Sequence, residues 1–387
     1  MPPHPQLSTR AFVLRLALFY AALIAVSGMQ TPFFPVWLAA KGLDPREIGI
    51  VLAVPLILRV VAVPIVAGLA DRHSALHHVL VATAIATTLG AAGLAFAEGF
   101  AAIFAVSVLI ACSYTPMMPI ADAYAVKGLR ERARAYGPVR LWGSVSFVAA
   151  NVGAGLFIDI LPARHLIWLM AATFAATAAV ALLLPPVTPA PASAEPPPRG
   201  RTLLRSKAFL AVLAASSLIQ ASHGFYYGFG GLDWQAAGLD GLTIGVFWAI
   251  GVVAEIVLFA LSPRLPRAVG PTMLLLIGAL GAVIRWCVMA TNPSVLALPL
   301  LQCLHGLSFG ATYLGAVGFV ARAAPDRLGA TAQGYLSTAG GIAMAAAMGL
   351  SGLLYGRYGD VGYGAMAAIA LAGGVCALAA HRMDTGK

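Results

Sequence analysis

PPVTPAPASAEPPPRGRTLLRSK, residues 185–207, is the stretch on which the reading of this chain turns. Proline, alanine and scattered charges over such a length cannot bury a core, so the segment reads as an extended linker. Apolar runs long enough to cross a bilayer, at roughly 20 residues per helix, lie on both sides of it. Before it they fall at 12–38, 48–70, 79–97, 100–125, 141–162 and 165–185, and after it at 208–233, 243–262, 270–290, 294–321, 332–355 and 362–380. The expected architecture is an all-α membrane protein with twelve transmembrane helices in two six-helix bundles. The bundles are residues 1–185 and 208–387, joined by a cytoplasmic linker at 186–207.

The composition agrees. Of 387 residues, 60% are hydrophobic and only 10% charged, against about 25% charged in soluble domains, which excludes an ordinary cytosolic enzyme. The net charge of +10 follows from 24 Lys and Arg against 14 Asp and Glu, and topology explains it without a nucleic-acid partner. Basic residues in short loops stay in the cytoplasm. With both termini inside, only Lys41, Arg46, Arg164 and Arg357 fall outside and Arg59 and Arg285 fall within spans, leaving the other eighteen on the inner side. A multi-pass protein of a bacterial-type inner membrane is implied. The polar N-terminus runs into an apolar segment without a small-residue cleavage site, so that segment reads as the first span and not a removed signal. Cys112, Cys287, Cys303 and Cys376 lie in apolar runs with no metal-ligand or CxxC spacing and read as small core residues.

The two halves carry traces of a parallel repeat. A slide of 197 residues pairs Phe12 with Phe209, Trp37 with Trp234, Arg130 with Arg327 and Gly155 with Gly352, and a slide of 196 sets Arg59 opposite Glu255. Gly143, Gly153 and Gly155 in the fifth span and Gly340, Gly341, Gly349 and Gly352 in the eleventh suit close helix contacts.

Ionisable residues inside spans are costly and face a cavity or a partner, which makes them functional candidates. Here they are Arg59, Asp122, His223, Glu255, Arg285 and His305. A carboxylate at such a depth can load and release a proton during a cycle, so Glu255 and Asp122 are the candidate proton carriers. Glu255 has a second open role as the permanent partner of an arginine. His223 and His305 read either as relay groups or as hydrogen-bonded packing residues. Tyr226, Tyr227, Phe229, Trp234 and Trp248 supply aromatic faces that could stack an arene, with Arg59 or Arg285 holding its carboxylate by a two-donor fork. Interfacial anchoring is the alternative, favoured for Trp37 and Trp234.

Several segments carry a family resemblance. GLADRHSALHH (68–78) resembles the loop signature of the major facilitator superfamily, which implies a conformational latch at Gly68, Asp71 and Arg72. His77 and His78 replace the usual terminal basic pair. PIADAYAVKGLRERARAYGPVRLWGSVSF (119–147) resembles the 3-phenylpropionate/proton symporter family and, more distantly, lactose permease. That likeness implies that Asp122 and Arg140 bind substrate as a pair, a structural ion pair being the other reading. SHGFYYGFGGLDWQAAG (222–238), IGVFWAIGVVAEIVLFALS (244–262), VIRW (283–286) and LHGLSFGATYLGA (304–316) extend it through the second half. On the same pattern Arg285 and His305 join a proton-coupling cluster, while Ser308 stands where a carboxylate is usual. The implied function is proton-coupled uptake of an aromatic carboxylate such as 3-phenylpropionate by alternating access.

A sugar or nucleoside symporter and an exporter remain open. No enzyme is expected, since no nucleophile–base motif, metal set or soluble output domain is present. No cofactor is implied, and the expected partners are a small-molecule substrate, the proton and the lipid bilayer. The oligomeric state is left open, a monomer being compatible.

Overall fold

The computed structural model describes residues 8–72, 75–187, 200–266, 269–323 and 328–385. Most of the linker expected at 186–207 lies in 188–199, outside the described residues. Among those described, every regular element is helical. Among the described residues eleven stretches are long and apolar enough to cross a membrane, and the last, Thr331–Asp384, contains two helices separated by a 3₁₀ turn. Twelve spans result.

The chain forms two compact units. The first comprises Met1–Leu43, Ile57–Ala192 and Asp240–Gly245, and the second Asp44–Leu56, Ser193–Leu239 and Val246–Lys387. Relative to a plain halving of the sequence, two short segments are exchanged.

The first unit holds α1 (Thr9–Ala40), most of α2 (Pro45–Arg72), α3 (Leu76–Phe96), α4 (Gly99–Tyr114), α5 (Met117–Arg130), α6 (Gly137–Ile160) and α7 (Leu166–Leu183). Ser8 starts α1 by accepting the Ala11 N–H at 3.3 Å, which satisfies an otherwise orphaned donor. The fourth span breaks between α4 and α5 at Thr115–Pro116, because proline lacks an N–H and clashes with the preceding turn. Phe12, Leu16 and Tyr20 of α1 pack on Met117, Ile120 and Tyr124 of α5. The Tyr124 hydroxyl donates to the Pro185 carbonyl at 2.6 Å, so the core keeps no unpaired phenol there.

Residues 240–245 join this unit through α6. A Cβ on Gly155 would stand 2.1 Å from the Gly241 carbonyl oxygen, so the two backbones touch where only glycine fits. The Asp159 carboxylate then accepts the Gly241 N–H at 2.6 Å and the Leu242 N–H at 2.8 Å, while Asp240 accepts Thr243 N–H at 2.7 Å. Two aspartates therefore cap one helix start, in accord with its positive end.

The second unit contains residues 44–56 of α2 with α8 (Lys207–Ala221), α9 (Gly224–Ala236), α10 (Gly241–Leu261) from residue 246, α11 (Pro271–Met289), α12 (Leu298–Cys303), α13 (Thr312–Ala323), α14 (Gly329–Tyr358) and α15 (Tyr363–Thr385). Its core joins Phe209 and Val212 to Leu275, Phe319, Val320 and Ala377. Gly49 and Gly352 let α2 and α14 close to backbone contact. Arg322 donates to both carboxylate oxygens of Asp384, at 2.7 and 2.6 Å, and so ties α13 to the end of α15.

Several expectations are corrected. Cys112, Cys287 and Cys303 are free thiols on exposed faces and not core residues, because a span has an outer apolar face as well as an inner one. Trp37 and Trp234 are buried instead of anchoring at an interface, and the Trp37 Nε1–H donates to the Arg164 carbonyl at 3.1 Å. Gly153 and Gly340 meet nothing within 4 Å. Asp159→Ala is expected to destabilise the first unit by about 1 kcal/mol, the usual value of an N-cap, read as a lowered unfolding temperature of the purified protein relative to wild type.

Candidate functional site

The second unit brings Glu255, Arg285, His305, His223, Tyr226 and Tyr227 together. Arg285, on α11, is completely buried. Its NH1 donates to His305 Nδ1 at 3.0 Å and its NH2 to the Gln302 side-chain oxygen at 2.6 Å. The guanidinium carbon lies 4.6 Å from the ring centres of both Tyr226 and Trp286. Nε has no partner, and no carboxylate lies within ion-pair distance of Arg285 among the described residues. A buried cation supported only by neutral acceptors and aromatic faces is an electrostatic debt that an anion would settle.

Because a guanidinium can only donate, His305 Nδ1 must accept, and the ring proton sits on Nε2. That nitrogen faces Glu255 Oε2 at 3.9 Å. Glu255 is on α10, its side chain one-fifth exposed. Gly306 allows the approach, since a Cβ there would stand 2.9 Å from the Ala254 carbonyl oxygen. His305 is followed by a π-helical turn, Gly306–Ala311. Such turns interrupt α-helices at functional sites, and nothing in the residue pattern announces it.

His223 lies at the break between α8 and α9. Its Nδ1 donates to the Ile219 and Gln220 carbonyls at 3.2 and 3.1 Å, satisfying the end of α8. Its Nε2 is 3.0 Å from the Ser308 hydroxyl. Ser308, standing where a carboxylate was the pattern, is thus a neutral partner for His223. The two histidine rings are 5.4 Å apart, edge to face.

The aromatic wall is continuous. Tyr226 and Trp248 stack with centroids 4.2 Å apart, and Trp286 and Tyr227 pack at 6.1 and 5.8 Å from Tyr226. The Trp248 Nε1–H and the Gln302 amide nitrogen are buried without partners. Phe229 stacks on Tyr355 at 4.8 Å.

The first unit holds a separate cluster. Asp122 Oδ1 accepts hydroxyl bonds from Tyr20 at 2.7 Å and Tyr136 at 2.8 Å. Burial, then the Asp122 carboxylate, pushes the Tyr136 phenol above its ordinary value, which keeps the donor proton in place. Arg140 does not reach Asp122 within 4.0 Å. Its guanidinium lies 5.7 Å from the Tyr20 ring centre, so the expected pair is bridged by an aromatic ring. Arg59 is on an exposed face of α2, in no ion pair among the described residues. For the expected latch, a Cβ on Gly68 would meet open space, so no close helix contact occurs there. The side chains of Asp71 and Arg72 lie outside the described residues.

Sequence reasoning missed Gln302, Trp286, Tyr20 and Tyr136. Gln302 sits three residues before His305, a helical spacing that puts both on one face, and that signal was available.

A family model described as the MFS_1 like family matches residues 13–362. The probable 3-phenylpropionic acid transporter of Escherichia coli (strain K12) is 32% identical over 365 residues, covering 92% of this chain and 94% of that protein. The maltose permease of Geobacillus stearothermophilus is 26% identical over 329 residues, 84% of this chain and 82% of that one. Among solved structures, the nucleoside transporter NupG superposes with a TM-score of 0.80 at 18% identity, over 96% of this chain and 98% of that one. A bacterial homologue of the human lysosomal transporter Spinster gives 0.78 at 14%, over 98% of each.

The surroundings of Arg285 yield a prediction. Gln302→Leu keeps the volume but removes the 2.6 Å acceptor, and it should destabilise the protein by about 1.5–3 kcal/mol, the range for a hydrogen bond to a charged group. Thermal unfolding beside Gln302→Glu, which keeps an acceptor, measures it.

Proposed function

From the premise that the chain belongs to the MFS_1 like family and is a membrane transporter, not an enzyme, we propose that it carries an aromatic carboxylate such as 3-phenylpropionate together with a proton, by alternating access. The observation that supports this most is Arg285, buried, without an acidic partner and flanked by Tyr226 and Trp286. A carboxylate on the substrate supplies the missing counter-charge in bidentate form. Its ring finds the faces of Tyr226, Tyr227 and Trp248, where aromatic pairs contribute beyond simple burial.

Coupling follows from the same bonds. While NH1 of Arg285 donates to His305 Nδ1, that nitrogen is unavailable as a base. A substrate carboxylate that draws NH1 to itself frees it, so anion binding and protonation of the His305–Glu255 pair favour one another. Proton loading neutralises Glu255, and the loaded carrier reorients. Uptake through a bacterial inner membrane with both termini cytoplasmic fits the distribution of basic loops.

Asp122 favours a second reading. Held by two phenols and not by Arg140, its remaining acceptor capacity suits a hydroxyl-rich cargo. A putative nucleoside transporter, YegT of Escherichia coli (strain K12), is 24% identical over 326 residues, and a sugar or nucleoside symporter is the alternative substrate class.

Uptake of labelled 3-phenylpropionate into proteoliposomes, with and without an inward proton gradient, tests the proposal. Accumulation that a protonophore abolishes is expected. Uptake of uridine or maltose in its place moves the protein to the second reading. Glu255→Gln should abolish accumulation while substrate exchange persists. Arg285→Lys should lower uptake at least about tenfold, because an ammonium lacks the planar fork. Full accumulation in either variant removes that residue from the mechanism.

A further inference from the structure

The polar groups around Arg285 are not evenly distributed. Trp248, Gly251 and Glu255 share one face of α10, at the i, i+3, i+7 spacing. That face is turned toward Gln302 and His305, since a Cβ on Gly251 would stand 3.4 Å from His305 Cβ and 3.6 Å from the Gln302 backbone carbonyl oxygen. Two turns along α10 from Trp248, Glu255 Oε2 faces His305 Nε2 at 3.9 Å. One end of the face therefore carries an acid and an imidazole, and the other an indole.

Three nitrogens in this array are buried without a hydrogen-bond partner among the described residues: Arg285 Nε, Gln302 Nε2 and Trp248 Nε1. Gln302 is fully buried and Trp248 only 4% exposed. All three nitrogens donate and none can accept. The direction of the amide is fixed by chemistry: its oxygen takes the Arg285 NH2 at 2.6 Å, and a guanidinium only donates, so the nitrogen points elsewhere. Because Gln302 is bonded to Arg285 directly, its amide nitrogen sits beside the guanidinium, and one carboxylate with two lone pairs on each oxygen can answer both. The indole is one ring further out. Trp248 stacks on Tyr226 at 4.2 Å, and it is the Tyr226 ring centre that lies 4.6 Å from the guanidinium carbon. Its N–H calls for an acceptor at the other end of the cargo.

Resting on the proposal that the Arg285 array binds an aromatic carboxylate, we infer that the Trp248 Nε1–H is a specificity determinant, selecting cargo whose ring bears a hydrogen-bond acceptor such as a phenol or ether oxygen. A donor taken out of water with nothing to receive it costs its full desolvation. An acceptor on the ring removes that cost in the same step as it forms the bond. A site built this way discriminates against the analogue that lacks the oxygen. Stacking on Tyr226 and Trp248 alone responds to the size and face of the ring, and so would not separate two rings of one shape. The array then reads its cargo at two points, charge at Arg285 and oxygen at Trp248.

Calorimetric binding to the purified full-length protein tests this, with 3-phenylpropionate and its ring-methoxy and ring-ethyl derivatives as probes. Methoxy and ethyl groups have nearly the same shape, and only the methoxy oxygen accepts. At one ring position the methoxy compound should bind at least about fivefold tighter than its ethyl counterpart, the worth of one neutral hydrogen bond. Trp248→Phe keeps an aromatic face and removes the N–H. Lost stacking weakens both compounds alike, whereas the ratio between them should fall to about one. Equal binding of the two compounds by the wild type at every ring position, or an unchanged ratio in Trp248→Phe, overturns the inference while the aromatic-carboxylate reading stands. Absence of binding by all the probes overturns that reading and the inference with it. Should Trp248→Phe fail to fold, the wild-type ratio decides.

Discussion

A guanidinium taken out of water without an acid beside it is the constraint that organises the second unit. Arg285 cannot give up its charge in a protein, so every element around it answers that charge. One helix offers an imidazole and an amide oxygen three residues apart, and neighbouring helices offer ring faces. None of these partners is an anion. Neutral dipoles and aromatic quadrupoles give enough stabilisation to hold the cation while leaving it receptive, whereas a resident carboxylate would have satisfied it permanently. The same choice fixes the tautomer of His305 and so sets which nitrogen faces Glu255. In the mechanism we propose, substrate recognition and proton handling are two aspects of one hydrogen-bond arrangement.

In hydrocarbon the backbone must find its partners internally, so departures from plain helix carry information. The tenth span contains a π turn directly after His305, and the seventh breaks at Ser222–His223. Both are repaired locally. The Ser222 hydroxyl donates to the Ile219 carbonyl and accepts the Trp286 Nε1–H, and His223 serves the last carbonyls of α8. The groups that mend the helices are neighbours of the groups that surround Arg285, which places the irregular backbone beside the chemistry.

The twelve spans could be read from composition and run length because a lipid-facing helix must be apolar over most of its circumference. Arg285, Glu255 and His305 could be read as candidates because charge inside a span is costly wherever it lies. Partner choice was less legible. The acid expected opposite Arg140 binds phenols from α1, across 102 residues, and from the loop before α6, across 14, contacts for which the chain has no periodic signature. Arg59 met the same sequence criterion as Arg285 yet lies on an exposed face. A uniformly apolar helix does not reveal which of its sides turns inward. The cysteines were misjudged for the same reason, core and lipid favouring the same residue types.

Those cysteines carry a consequence of their own. All four are free thiols, and three point outward from the helices. No covalent cross-link holds either unit, so the fold owes nothing to redox potential and survives strong reductants unchanged. Thiols on a greasy exterior are shielded from water-borne oxidants but open to reagents dissolved in lipid or detergent. A spectroscopic reporter attached at Cys112, Cys287 or Cys303 would therefore sample the surrounding solvent while leaving the polar interior intact.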